Sequence, residues 1–73
     1  MARYGGALLK RIGLTIQKKR RALSLSQLET AHRAGMSSHY LSEIERGKRN
    51  LSVVMLDHIA SALEIKLFEL LKK

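Results

Sequence analysis

The segment from Ser26 to Gly47, SQLETAHRAGMSSHYLSEIERG, contains two short helical units and the turn between them. Ser26 with Glu29 three residues later forms a capping box, in which the hydroxyl accepts the Glu29 amide and the carboxylate returns to the Ser26 amide. The helix begun there runs to about Arg33, because Ala34-Gly35 follows and Gly35 can take the left-handed conformation that ends a helix. Met36-Ser37 leads into a second helix capped by Ser37, with Leu41, Ile44 and Glu45 at helical spacing, and Arg46-Gly47 closes it. Ala31 is small where the two helices would cross, and Met36, Leu41 and Ile44 point into a shared core. Ser38, His39, Ser42 and Glu43 are then left on the outside. The unit, about Gln27 to Arg46, has helix-turn-helix spacing.

Working outward, the chain before this unit reads as a helix over about Ala7 to Ala22, with Leu8, Ile12 and Ile16 one turn apart on a single face. Gly13 in its interior weakens it somewhat. Arg20 extends the same stripe by one turn, so its charge needs a partner. Glu45, one turn beyond Leu41 on the inner side of its helix, is the expected one, in a structural ion pair that fixes that helix against the first. After the unit, Lys48-Arg49-Asn50-Leu51 is a polar connection. Ser52 then caps a fourth helix carrying Val53, Leu56, Ile59, Ala60 and Leu63. A short fifth helix, about Lys66 to Leu71, carries Leu67, Phe68, Leu70 and Leu71 around most of its circumference. An element so small cannot bury all four against its own domain, so part of that surface faces a partner.

Seventy-three residues suffice for one domain, expected over residues 1–73. There is no proline, and no alternating strand pattern persists beyond a few residues, so the fold class is all-α. Thirteen leucines and only three aromatic residues (Tyr4, Tyr40 and Phe68) make the core aliphatic. Without cysteine it depends on packing or oligomerisation for stability. No run of apolar residues approaches the roughly 20 needed to span a membrane, and a cytoplasmic location is expected.

The formal charge is +8, from fourteen Lys and Arg against six Asp and Glu. Arg3, Lys10, Arg11, Lys18, Lys19, Arg20 and Arg21 all precede the first acid, Glu29, and Arg46, Lys48 and Arg49 form a second group. A polyanion is the natural partner, although charge alone does not separate nucleic acid from an anionic membrane surface. The helix-turn-helix unit favours double-stranded DNA, since in such units the second helix lies in the major groove with its N-terminal residues at base edges.

The run Ser26-Gln27, then Ala31, Gly35-Met36-Ser37, Tyr40 to Asn50, Ile59-Ala60 and Ala62-Leu63 resembles the phage-repressor class of DNA-binding domains, the lambda-repressor-like or xenobiotic-response-element group. The resemblance covers about Ile12 to Leu71 and implies a five-helix domain acting as a homodimer on a palindromic operator. It also implies roles for individual residues. Ser38, His39, Ser42 and Glu43 would read bases. Gln27, Ser37, Arg46, Lys48, Arg49 and Asn50 would hold phosphates. The chemistry agrees, since serine suits several bases, histidine can donate to guanine, and glutamate can accept from cytosine N4. Thr30 stands where the family generally has a core leucine, with Leu28 nearby where it has a polar residue, which predicts a rotated or loosely packed second helix. Glu64 stands where a glycine commonly ends helix four, which predicts an altered turn. Phe68 replaces a usually polar residue, and the dimer interface is expected to centre on it with Leu67 and Leu71.

Other chemistry is poorly supported. His32, His39 and His58 lack cysteine companions and metal-ligand spacing, so no metal is expected. There is neither a nucleophile elbow nor a glycine-rich phosphate loop, so no enzyme activity and no cofactor are expected. The leading expectation is a transcriptional regulator controlled by its own concentration or by a protein partner such as a toxin or polymerase. The alternative is an antitoxin or adaptor whose main role is to hold another protein through the apolar C-terminal surface. A third reading, a membrane-active cationic helix over Ala7 to Leu23, sits badly with the capped helices that follow.

Overall fold

A computed structural model describes residues 6–72; Arg3, Tyr4 and Lys73 lie outside the described residues. Five helices follow one another: α1 (Gly6–Ala22), α2 (Gln27–Ala34), α3 (Ser38–Glu45), α4 (Val53–Ala62) and α5 (Phe68–Leu71), with no strand among the described residues. The middle three begin as their serines dictate. Ser26 Oγ accepts the Glu29 amide at 3.0 Å while Glu29 Oε1 accepts the Ser26 amide at 2.8 Å. Ser37 Oγ accepts from Tyr40 N and Ser52 Oγ from Met55 N, each at 3.0 Å.

The first four helices also end alike. In each, a residue at the cap or just past it has a positive φ (Ser24 56°, Gly35 77°, Gly47 73°, Glu64 60°), and the amide after it reaches back five residues. The pairs are Leu25 N to Arg20 O, Met36 N to Ala31 O, Lys48 N to Glu43 O and Ile65 N to Ala60 O. These are Schellman turns, which satisfy the last carbonyls of the helix. Glu64 therefore leaves the turn after α4 unaltered, contrary to expectation. Its backbone takes the left-handed conformation that a glycine would take, at some steric cost.

Ile12 and Ile16 of α1, Ala31 and Ala34 of α2, Leu41 and Ile44 of α3, Leu56, Ile59 and Ala60 of α4, Leu63, and Leu70 of α5 form one buried cluster. Thr30 is also completely buried while Leu28 is 68% exposed, so α2 is not rotated to bring the leucine inward. The slot accepts the threonine, leaving its hydroxyl without a hydrogen-bond partner. The helix as a whole packs against α3 and α4.

Two exposed apolar side chains and the start of the fifth helix differ from the pattern of the sequence. Leu8, expected on the face that Ile12 and Ile16 bury, is 44% exposed, and Val53, carried on the same helix as the buried Leu56 and Ile59, is 67% exposed. Leu8 precedes the point where α1 meets the end of α3, near Lys10, and Val53 lies in the opening turn of α4, before that helix reaches the core at Leu56. The fifth helix starts at Phe68 rather than Lys66, because no side chain caps it and its opening bonds, Glu69 N to Lys66 O and Leu70 N to Leu67 O, span only three residues.

Gly13 has a role that helix propensity does not reveal. A Cβ there would lie 2.5 Å from the Glu45 carbonyl oxygen and 2.6 Å from that of Ile44, so α1 and the end of α3 are in direct backbone contact. Gly13→Ala should therefore destabilise the fold by about 2 kcal/mol or more, despite alanine's better helix propensity. Glu64→Gly should stabilise it by about 1 kcal/mol by relieving the positive φ. Chemical denaturation of both variants checks this pair of opposite shifts.

Candidate nucleic-acid interface

The position of α3 is set by what lies beneath it. Arg20, buried at the end of α1, donates from Nε to Glu45 Oε2 at 2.7 Å and from Nη2 to Glu45 Oε1 at 3.0 Å. Its remaining nitrogen, Nη1, donates to the Leu25 carbonyl at 2.9 Å, and Gln27 Nε2 donates to Glu45 Oε1 at 3.0 Å. One carboxylate thus joins the C-terminal ends of α1 and α3 to the first residue of α2. The two-pronged Arg–carboxylate geometry sets direction as well as distance.

With α3 held from below, its opposite side faces solvent. His39 is exposed, and Ser38, Ser42 and Glu43 are half-buried beside it. The segment after α3 curls back toward the same side through the Lys48 N to Glu43 O bond of 2.9 Å, and leaves Arg46, Lys48, Arg49 and Asn50 exposed. Lys10 of α1 adjoins this loop, since a Cβ on Gly47 would meet the Lys10 backbone and stem. Gln27 keeps a second hydrogen on Nε2 after its bond to Glu45, and the Ser37 hydroxyl keeps its proton after capping α3. Both retain a donor for an anion. The face formed by α3 and the loop is thus rich in donors, with Glu43 the one acid on its exposed side.

Glu43 is already engaged. Arg49 Nε donates to Glu43 Oε1 at 2.8 Å, and His39 Nε2 lies 3.6 Å from Oε2. The hydrogen bond from Arg49, followed by the nearby charges of Arg49, His39 and Arg46, holds the Glu43 carboxyl below the ordinary carboxylate range. The Arg49 guanidinium also lies 5.0 Å from the centre of the Tyr40 ring. Tyr40 and Lys10 were not singled out by sequence reasoning. For Tyr40 the available signal was its place one residue after His39 at the start of α3. For Lys10 it was the basic excess of the first helix, which does not say which lysine meets the loop.

Away from this face, α5 buries Leu70 and leaves Phe68 and Leu71 57% and 40% exposed, while Leu67 just before it is half-buried against the core. No helix among the described residues is long and apolar enough to cross a membrane.

Removing Arg20 strands the Glu45 charge against the core, so Arg20→Ala should lower stability by about 3 kcal/mol. Replacing the pair by Met and Leu should recover much of that loss. The measurement is the urea midpoint, and a midpoint for Arg20→Ala equal to that of the parent would sink the claim.

Residues 16–70 match the model of the family described as Helix-turn-helix, HTH_3. The chain is similar to the uncharacterized HTH-type transcriptional regulator y4dJ of Sinorhizobium fredii, at 41% identity over 61 residues, covering 84% of this chain and 79% of the relative. Among solved structures it is similar to the restriction-modification controller protein C.AhdI from Aeromonas hydrophila, with a TM-score of 0.85, 38% identity, and coverage of 88% of this chain and 97% of that one. It is also similar to the C.Esp1396I protein bound to a 25 base pair operator site, with a TM-score of 0.79, 33% identity and 88% of each chain covered.

Proposed function

We propose that this chain, which belongs to the helix-turn-helix family, is a cytoplasmic, sequence-specific transcriptional regulator that binds a palindromic operator as a homodimer. The observation that carries the reading is the donor-rich face of α3 and the loop after it, on a chain of charge +8, with α3 held rigidly from beneath by Arg20 and Glu45. The operator-bound relative supports it by analogy of fold. In this reading α3 enters the major groove. Ser38, His39 and Ser42 meet base edges, while Gln27, Ser37, Arg46, Lys48 and Asn50 hold the flanking phosphates. Glu43 and Arg49, which the resemblance assigns to bases and phosphates respectively, act as a coupled pair.

A homodimer would place Phe68, with Leu67 and Leu71, at the twofold axis. Burying the Phe68 ring contributes on the order of 2 kcal/mol per subunit. Phe68→Ala should then weaken self-association and operator binding together, as followed by sedimentation and titration. A variant still dimeric at low micromolar concentration would show that another surface forms the dimer.

The reading and holding residues should separate in one experiment, a selection of random duplexes by the purified protein followed by titration of the selected site and point-mutated sites at several salt concentrations. Lys48→Ala should weaken binding to every duplex and lower the salt slope by about 0.9, the value for one lost phosphate contact. His39→Ala should relax choice at one base pair in each half-site, at a loss of roughly 1–3 kcal/mol. The half-sites should lie roughly 10 bp apart, one helical turn, so that both copies of α3 meet one side of the duplex. A uniform loss for both variants would favour an adaptor or antitoxin that works chiefly through protein contact.

A further inference from the structure

Arg46, Lys48 and Arg49 stand close together in the loop after α3, but they are not equivalent. Among the described residues, neither Arg46 nor Lys48 has a carboxylate within ion-pair distance, whereas Arg49 is bound to Glu43 at 2.8 Å and lies over Tyr40. The bond from Lys48 N to Glu43 O ties the loop to α3 at the same residue. The Glu43 side chain is 23% exposed and that of Arg49 is 48% exposed, so the acid is sheltered and the guanidinium reaches outward. The loop arginine is thereby held against the exposed side of α3.

We propose that Glu43 is a positioning residue that fixes Arg49 on the reading side of α3, and that Arg49 reads a guanine in the major groove rather than gripping a phosphate. The proposal rests on the operator-binding reading above and deepens it. With Nε bound to Glu43, the two terminal nitrogens of Arg49 remain as a pair of donors. Guanine, with O6 and N7, is the base whose major-groove edge offers two adjacent acceptors to such a pair. A phosphate contact would gain nothing from the arrangement, because a carboxylate next to the backbone is repelled by it and cancels the charge that attracts it. A base contact does gain, because specificity depends on the direction of the fork, and the carboxylate and the ring together limit its rotation. Glu43 then contributes through Arg49, with one oxygen on that arginine and the other facing His39, rather than by accepting from cytosine itself.

The test uses the full chain and a duplex obtained by selection from random DNA. The parent should select a guanine at one position of each half-site, and replacing that guanine by 7-deazaguanine, which lacks the N7 acceptor, should weaken binding on the order of tenfold per half-site. Arg49→Ala and Glu43→Ala should both lose the preference at that same position, and the double variant should bind no worse than Arg49→Ala alone. Arg49→Lys keeps the charge without the fork, and should weaken the guanine preference while leaving the salt slope as in the parent. Thermal melting confirms that each variant is folded, and the lysine variant preserves the test should an alanine variant fail to fold.

An Arg49→Ala variant that selects the same sequence as the parent, with a salt slope lower by about 0.9, would assign Arg49 to a phosphate and overturn the proposal. So would a Glu43→Ala variant that relaxes choice at a cytosine while Arg49→Ala leaves that position untouched. A parent that selects no sequence would overturn the operator reading itself, and this proposal with it, whereas a selected site indifferent to Arg49 would overturn this proposal alone.

Discussion

The buried Arg20–Glu45 pair is the interaction on which the rest of the structure depends. Every polar atom of the Glu45 carboxylate and every nitrogen of the Arg20 guanidinium has a partner, supplied by the two groups themselves, by Gln27 and by the Leu25 carbonyl. A buried charge pair offsets its desolvation only when its geometry is this complete. The cluster also has a directional consequence that an apolar contact would lack. It fixes the end of α3 relative to both α1 and the start of α2, and so determines which way the exposed side of α3 faces. Gly13 permits it, because no side chain separates α1 from the Ile44 and Glu45 carbonyls.

The same economy of means appears at the helix ends. Four successive helices stop with one backbone device, at Ser24, Gly35, Gly47 and Glu64, although only two of those residues are glycines. The hydrogen-bonding requirement of the terminal carbonyls, together with the packing of the following residues, prevails over local steric preference at Ser24 and Glu64. Thr30 shows a related compromise inside the core. Thr30 is buried at the cost of an unpaired hydroxyl, since turning α2 to bury Leu28 instead would displace Ala31 and Ala34 from the core.

The surface is divided between two kinds of chemistry. Around α3 and the loop after it, donors predominate, and the one acid among them is neutralised by an arginine beside a tyrosine ring. On α5, Phe68 and Leu71 are exposed next to the buried Leu70. Lys19 and Glu69 join α1 to this short helix at 3.4 Å, so the apolar surface is carried on an element tied to the helix that anchors α3. An association through α5 would therefore set the spacing between two copies of α3 through rigid helices rather than through flexible connections.

Much of this was legible in the amino-acid sequence because it is local. Serine caps, the capping box at Ser26, the helical spacing of Ile12 with Ile16 and Leu41 with Ile44, and Gly35 in the turn each act over a few residues, so the pattern alone determined the all-helical order and the helix-turn-helix unit. The Arg20 stripe even indicated a distant partner, because a charge on an apolar face needs one. The tertiary structure decided the rest. Gly13 reads as a weakness until α3 lies against it, Leu8 shares a face with Ile12 and Ile16 yet stays exposed, and Glu64 keeps a glycine's backbone because the turn requires it. Glu43 and Arg49 read as two separate contacts, one to bases and one to phosphates, since neither their spacing nor their chemistry fixes where a loop will fold back. The reason is common to all of them: caps and periodicity depend on neighbours along the chain, whereas close approach, exposure and charge pairing depend on neighbours in space.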